Sequence, residues 1–247
     1  MALSLKKQKL SYQVRTYECD PNDHLKISAL FNFFQSAAEA NIESAAIGYD
    51  YLTEHNIGWI AVDYRVKFLA FPHRGDNLTI ETWPSAGTPL YGIRDFRVTD
   101  KDGKDMIFAT SRWVLIDIAT KKPLVYKKIM PDFNTIDEHV LPPDFPKIQP
   151  PEHVDFVTEL TTRYDDLDVN QHVNNAVYPA FALDSVPSDF RQGKIPSEIA
   201  INFKNETKLG ETLSAQSMIS GLETFHQLSI KGSDKTAALL HLHWQEI

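Results

Sequence analysis

Asp168, Asn170 and His172 stand at every second position of the stretch Arg163-Tyr164-Asp165-Asp166-Leu167-Asp168-Val169-Asn170-Gln171-His172-Val173-Asn174-Asn175. Alternate side chains of an extended or turning segment point the same way. An acid, an amide and an imidazole therefore project into one space, with Leu167, Val169 and Val173 between or beside them. The Asn pair, followed by Val177, Ala180 and Phe181, reads as a capped helix start. A helix N-terminus beside such a set suits developing negative charge. The same residue types also serve ordinary turn chemistry, since Asp and Asn before a helix commonly form a turn and a cap. Alone, the stretch reads as a turn; a duplication and a distant glutamate change that.

The elements that must position these residues follow from periodicity. A strand is expected over 11–17. Ser28 is the expected cap of a helix running to about residue 47 and stopped by Gly48, with Leu30, Phe31, Phe34, Ala38, Ile42 and Ala45 at helical spacing. Phe33, Ala37 and Ala46 fill its other faces, which predicts a helix apolar nearly all round and buried. Strand-like runs follow at 58–68, 77–83, 92–99 and 105–118, with Asp102-Gly103 as a hairpin turn. Residues 131–156 carry Pro131, Pro142, Pro143, Pro146, Pro150 and Pro151 with little periodicity, an extended connection laid over a surface. The order then recurs: a strand to residue 163, the polar bend, a helix over about 175–186, and strands at 199–204, 212–219, 223–230 and 236–244.

The recurrence extends to single residues. At an offset of 148, Arg15, Asp20, Asn22 and His24 match Arg163, Asp168, Asn170 and His172. At an offset of 135, Gly75-Asp76-Asn77-Leu78 resembles Gly210-Glu211-Thr212-Leu213. This is a tandem duplication. A long helix wrapped by a curved antiparallel sheet, present twice, is a double hotdog of the α+β class, with domains expected over 1–130 and 157–247 joined by the 131–156 linker. The copies differ in one informative place: Glu206 occupies the position of Phe71. A lone strand-end glutamate is ordinarily a solvated charge, but this one comes with a bend it could face.

Bulk properties narrow the function. The 247 residues are 43% hydrophobic and 23% charged, ordinary for a globular chain with a sizeable core. No apolar run reaches the length of a membrane span, and Met1–Lys9 has no apolar block of a secretory signal. One cysteine excludes an internal disulfide and fits a reducing compartment, so a cytoplasmic protein is expected. The net charge of −8 argues against nucleic acid. It is uneven: residues 1–130 carry 17 Lys/Arg against 15 Asp/Glu, and residues 131–247 carry 8 against 18.

The stretch Asp166-Leu167-Asp168-Val169-Asn170-Gln171-His172-Val173-Asn174-Asn175 resembles the signature of the acyl-acyl carrier protein (acyl-ACP) thioesterases, a double-hotdog family that ends fatty acid synthesis. The resemblance runs over about residues 10–245 and includes Val14-Arg15-Thr16-Tyr17-Glu18, Ile80-Glu81-Thr82-Trp83 and Ala109-Thr110-Ser111-Arg112-Trp113-Val114. The family's glutamate, 34 residues beyond its histidine, falls on Glu206. The long N-terminal targeting region of plant relatives is absent, which suggests a bacterial-type member. Thr207 stands where some plant members carry a cysteine, so a thiol-based acyl-enzyme has no residue there. The resemblance implies hydrolysis of the thioester of fatty acyl-ACP, without metal or cofactor, at Asp168, Asn170, His172 and Glu206. Glu206 with His172 would deprotonate water, and burial of Glu206 would make it the better base. Asn170 and helix-start N–H groups would hold the oxyanion, and Asp168 either orients the others or attacks the carbonyl itself.

Rival readings remain at this level. An acyl-CoA thioesterase would use the same chemistry with another carrier, and a non-catalytic acyl-binding module would not need Glu206. A hotdog hydratase would place histidine three residues after asparagine, whereas here Gln171 alone separates them. Cys19, flanked by Glu18 and Asp20, makes a poor nucleophile. Phe31, Phe34, Ala37, Ala38 and Ile42 are candidate walls of an acyl pocket in the first copy, where the resemblance also places the tail. The acidic carrier protein, the expected partner, needs a basic surface; Lys121, Lys122, Lys127 and Lys128 form one cluster and Lys6, Lys7 and Lys9 another. Two hotdogs in one chain can satisfy each other, so monomer and homodimer are both permitted.

Overall fold

A computed structural model describes residues 3–247. The chain divides into two compact units, one ending at Asp144 and one beginning at Phe145. The first contains β1 (Gln8–Gln13), a 3-10 turn (Thr16–Glu18), α1 (Ile27–Glu43), α2 (Tyr49–Glu54), β2 (Ile57–Phe68), β3 (Asn77–Ser85), β4 (Tyr91–Thr99), β5 (Asp105–Asp117), β6 (Pro123–Leu124) and α3 (Tyr126–Ile129). Its antiparallel sheet runs β1-β3-β4-β5-β2, with β6 on β5. Period-two burial builds its core: Leu78 and Ile80 on β3, Phe96 and Val98 on β4, Ile107 and Ala109 on β5. Helix α1 lies on β1 and β3, its Phe34 ring 4.6 Å from Phe96 and its Phe31 ring 5.0 Å from Tyr64.

Helix α1 departs from expectation at both ends. It starts at Ile27 with Lys26 as N-cap and no side-chain cap, so Ser28 lies inside the first turn. The start is set by burial of Ile27 and by the Lys26 N–H donating to the Glu18 carbonyl, 2.8 Å, rather than by a capping hydroxyl. The helix stops at Glu43, and the reversal falls on Ala46 at φ 55° instead of Gly48. Gly48 instead sits close against a side chain: a Cβ there would lie 2.0 Å from the Glu43 carboxylate, which accepts the Tyr49 N–H and would have to swing aside. Nor is α1 apolar all round, since Asn32, Ser36, Glu39 and Glu43 form an exposed stripe. The stripe recurs at helical spacing, so α1 covers its sheet with one face only.

The first half of the proline-rich stretch, to Asp144, belongs to the first unit. Ile136 N–H donates to the Pro84 carbonyl, Trp83 Nε1 to the Glu138 carbonyl, and His139 Nδ1 lies 3.0 Å from the buried Asp95 carboxylate. Burial pushes the Asp95 carboxyl up, while Ser85 and His139 oppose that by hydrogen bonding to it. These bonds satisfy a buried acid and fix the segment on β3 and β4.

The second unit contains β7 (Phe156–Thr161), a 3-10 turn (Tyr164–Asp166), α4 (Val177–Leu183), α5 (Ser188–Arg191), β8 (Lys194–Phe203), β9 (Thr212–Ser220), β10 (Glu223–Ile230) and β11 (Thr236–Glu246). Its antiparallel sheet runs β8-β11-β10-β9-β7, and α4 packs on β9, β10 and β11. The expectation of two long helices is corrected here: α1 has 17 residues and α4 has 7. The stretch between bend and strand is shorter than in the first unit, and Pro187 forbids continuation of the helix. Strand β8 begins before residue 199 because Gly193, at φ 71°, makes the turn into it. Pro196 is tolerated where the β8–β11 register shifts between His243 and Trp244. Among the described residues, no helix is long and apolar enough to cross a membrane.

Candidate active site

The polar bend is built around one carboxylate. Asp168 Oδ1 accepts the N–H groups of Asn170 at 2.8 Å and His172 at 3.4 Å, and Oδ2 lies 3.4 Å from Asn170 Nδ2. The backbone closes the same loop, with Asp168 N–H donating to the His172 carbonyl at 2.8 Å and Gln171 at φ 63°. Leu167 and Val173 face each other as a bridge at its base. Upstream, Asp166 takes the Arg163 backbone N–H at 2.8 Å and its guanidinium at 2.9 Å. Burial alone would push the Asp166 carboxyl up; the Arg163 bonds outweigh it and hold the carboxyl below its ordinary value.

A single backbone bond carries the bend to the second carboxylate. Val173 N–H donates to the Thr207 carbonyl at 2.9 Å. Thr207 is fully buried, and Glu206, next to it, reaches His172: Glu206 Oε2 lies 3.1 Å from His172 Nε2. The structure therefore brings Asp168, Asn170, His172 and Glu206 into one group of contacts. It also corrects the expected burial, because the Glu206 side chain keeps 36% of its exposure and the His172 side chain 22%. The segment ends β8 and turns into a loop, which leaves the carboxylate open to water.

The first unit repeats the scaffold and changes the chemistry. Asp20 Oδ1 accepts the N–H groups of Asn22 at 2.9 Å and His24 at 3.0 Å, Asp23 takes φ 66°, and Cys19 faces Leu25. Leu25 N–H donates to the Pro72 carbonyl at 2.9 Å, the counterpart of the Val173–Thr207 bond. The side chain thus delivered is Phe71, whose ring lies edge-on to His24 at 5.5 Å. His24 has a ring for a neighbour where His172 has a carboxylate. Cys19 is buried, and burial followed by Asp23 and Asp20 raises its thiol, against a nucleophilic role.

Two other expectations fare differently. The start of α4 offers no spare donors at two positions: Ala176 N–H donates to Asn174 Oδ1 and Val177 N–H to the Asn174 carbonyl. Phe31, Phe34 and Ala37 are core residues on the buried face of α1, while Ala38 and Ile42 are half-buried and Ile42 packs beside Leu5 and Ile57. Tyr178, which sequence reading passed over, is buried; burial pushes its hydroxyl up and the negative charge of Glu206 adds to that. Its counterpart at the 148-residue offset is Leu30, the same apolar-to-polar change between copies that marks Glu206.

Comparison with known proteins matches both units to one family. Residues 5–135 match the acyl-ACP thioesterase N-terminal domain and residues 150–246 the acyl-ACP thioesterase C-terminal domain. The chain belongs to the acyl-ACP thioesterase family. It is similar to the chloroplastic palmitoyl-acyl carrier protein thioesterase of Gossypium hirsutum, 27% identical over 89% of this chain and 57% of that one. It is also similar to the chloroplastic dodecanoyl-[acyl-carrier-protein] hydrolase of Umbellularia californica, 28% identical over 91% of this chain and 64% of the relative. The chain thus spans less than two thirds of the length of either relative. Among solved structures, the 12:0-ACP thioesterase of Umbellularia californica superposes with a TM-score of 0.88 at 26% identity over 98% of both chains. An acyl-ACP thioesterase of Bacteroides thetaiotaomicron gives 0.85 at 23% identity over 97% of this chain and 98% of that one, a likeness of fold. The fold is accordingly of the hotdog type, in the α+β class.

The family bend carries a pH signature through Asp166. A carboxyl held low in the folded state contributes stability that is complete above its unfolded value of about 3.9 and is lost as pH falls through the lower folded value. Asp166→Asn should therefore destabilise the protein by a constant amount above about pH 5, and the difference should shrink below about pH 4. Urea midpoints of both proteins across that range measure it; a gap that stays constant into acid would contradict the assignment.

Proposed function

We propose that this chain hydrolyses the thioester of fatty acyl-ACP, releasing the free fatty acid and so ending chain elongation. The observation that carries this reading is the 3.1 Å contact between Glu206 and His172, held beside Asn170 by the Asp168 bend. A thioester carbonyl is electrophilic, and its leaving thiolate has a pKa near that of cysteine, about 8.5. Expulsion needs little acid help; what must be supplied is a deprotonated water and a place for the oxyanion.

Water enters at the exposed edge of Glu206. Its oxygen bonds to the thioester carbon while its proton passes to the Glu206–His172 pair. The carbonyl π electrons move onto oxygen, where the Asn170 amide donates to the resulting oxyanion. Collapse of the tetrahedral intermediate breaks the C–S bond, and the departing sulfur takes the proton back from the pair. Asp168 is the orienting group: its oxygens are engaged by donors of its own bend, a poor state for an attacking nucleophile. Glu206→Gln, His172→Ala and Asn170→Ala should each lower kcat on acyl-ACP by at least about a hundredfold, the usual scale for a base or an oxyanion donor. His24→Ala should change stability more than rate, and acyl-ACP should be turned over faster than the matching acyl-CoA. Equal damage from His24→Ala, or a preference for acyl-CoA, would contradict the reading.

The carrier protein docks, on this account, at the basic cluster of the first unit. Lys122, Lys127 and Lys128 are exposed near Lys121, with Lys127 and Lys128 on α3. The N-terminal cluster is the weaker candidate, since Lys7 pairs with Glu138 at 2.7 Å and Lys9 with Glu81 at 3.3 Å. Exposed charges are screened beyond about 8 Å at physiological ionic strength. Salt should therefore lower kcat/KM for acyl-ACP and leave a small uncharged thioester unaffected, and Lys122→Glu with Lys127→Glu should reproduce the loss. Equal salt sensitivity for both substrates would exclude steering, and unchanged kinetics of the double variant would exclude this surface.

A further inference from the structure

The outer face of the second sheet carries a cluster that the hydrolysis does not use. His241 and His243 alternate with the buried Leu242 on β11, so both imidazoles emerge on the same face. Glu223 on β10 pairs directly with His243, and Phe225 pairs with His241. The Glu223 carboxylate spans both rings, with Oε2 3.3 Å from His241 Nε2 and Oε1 3.3 Å from His243 Nδ1. Among the described residues, this is the group in which three such ligand atoms converge, all within 4.8 Å of one another.

We propose that Glu223, His241 and His243 bind a borderline divalent transition-metal ion, zinc in the first instance, as a clamp between β10 and β11. The donor set suits it: two imidazoles and one carboxylate form a recurrent three-ligand set for zinc and leave a coordination position for water. Spacing points the same way. Tetrahedral ligands at about 2.0–2.1 Å from an ion stand roughly 3.3 Å apart, whereas a charge-assisted N–H···O bond would draw the pairs to about 2.7–2.9 Å.

The surroundings prepare the ligands. The Phe225 ring stacks on His241 at 4.3 Å and 11°, which holds the imidazole plane. Glu198 on β8 lies opposite His243 and adds negative charge to the same face. The His241 side chain is 25% exposed and that of Glu223 41%, so solvent reaches the site. From Glu198 to Phe203, where β8 ends short of Glu206, is roughly 17 Å of extended strand. The clamp is thus remote from the catalytic pair and acts on stability.

The test uses metal-stripped, tag-free full chain. Cobalt(II) should give the intense visible absorption of tetrahedral coordination and saturate at one ion per chain; zinc should displace it. Zinc at about a hundredfold excess over its Kd should raise the unfolding midpoint by about 5–10 °C. His241→Ala, His243→Ala and the near-isosteric Glu223→Gln should each weaken binding by more than about tenfold. His153→Ala, which touches only the exposed Asp155 pairing, should not. Full-strength binding in the His241→Ala/His243→Ala double variant, absence of saturable binding in the unmodified protein, or an octahedral cobalt spectrum would each overturn the proposal.

Discussion

The hydrogen bond from the Val173 N–H to the Thr207 carbonyl is the constraint on which the geometry of the second unit's polar group depends. It joins a bend organised by Asp168 to a loop leaving β8, and so sets Glu206 beside His172. A buried backbone pair of this kind is costly to leave unmade, which holds the register between two segments far apart in sequence. The first unit makes the same bond from Leu25 to Pro72 and thereby brings Phe71 to His24. One scaffold therefore delivers whatever side chain stands at a given position. The backbone scaffold is thus separate from the side chain it presents, a carboxylate beside His172 in one copy and a ring beside His24 in the other.

That separation explains how a duplicated chain can keep two bends and one acid–imidazole pair. The Asp20 and Asp168 carboxylates hold their own loops by accepting local N–H groups, and both copies retain these bonds. The aromatic at Phe71 stacks on Phe68 with ring centroids 4.6 Å apart, an apolar contact that a carboxylate would not make. Ring packing at this position in the first copy accompanies the same backbone bonds as the carboxylate in the second.

Much of this was legible in the residues. The strands at 77–83, 105–118 and 223–230 were found to within about two residues, because period-two burial is written directly into them. The Asp168–His172 spacing and the Phe71–Glu206 substitution pointed to the site through the internal repeat. Other features depended on tertiary contacts that periodicity does not record. Ser28 has a capping side chain, but the burial of Ile27 decides where α1 begins. Gly48 looked like a stop, yet it answers to the Glu43 carboxylate beside it. The brevity of α4 and the openness of Glu206 both follow from chain length between bend and strand and from loop geometry, which an apolar pattern cannot express.

The central claim is that Glu206 and His172 act as one proton-accepting unit. A double-mutant cycle on single-turnover hydrolysis of acyl-ACP, using Glu206→Gln, His172→Ala and both together, tests it most directly. Groups that share a proton fail together, so the double variant should be no slower than the slower single variant to within about threefold. Two losses that multiply, giving a rate about four orders of magnitude below the unmodified protein, would show independent roles and contradict the account.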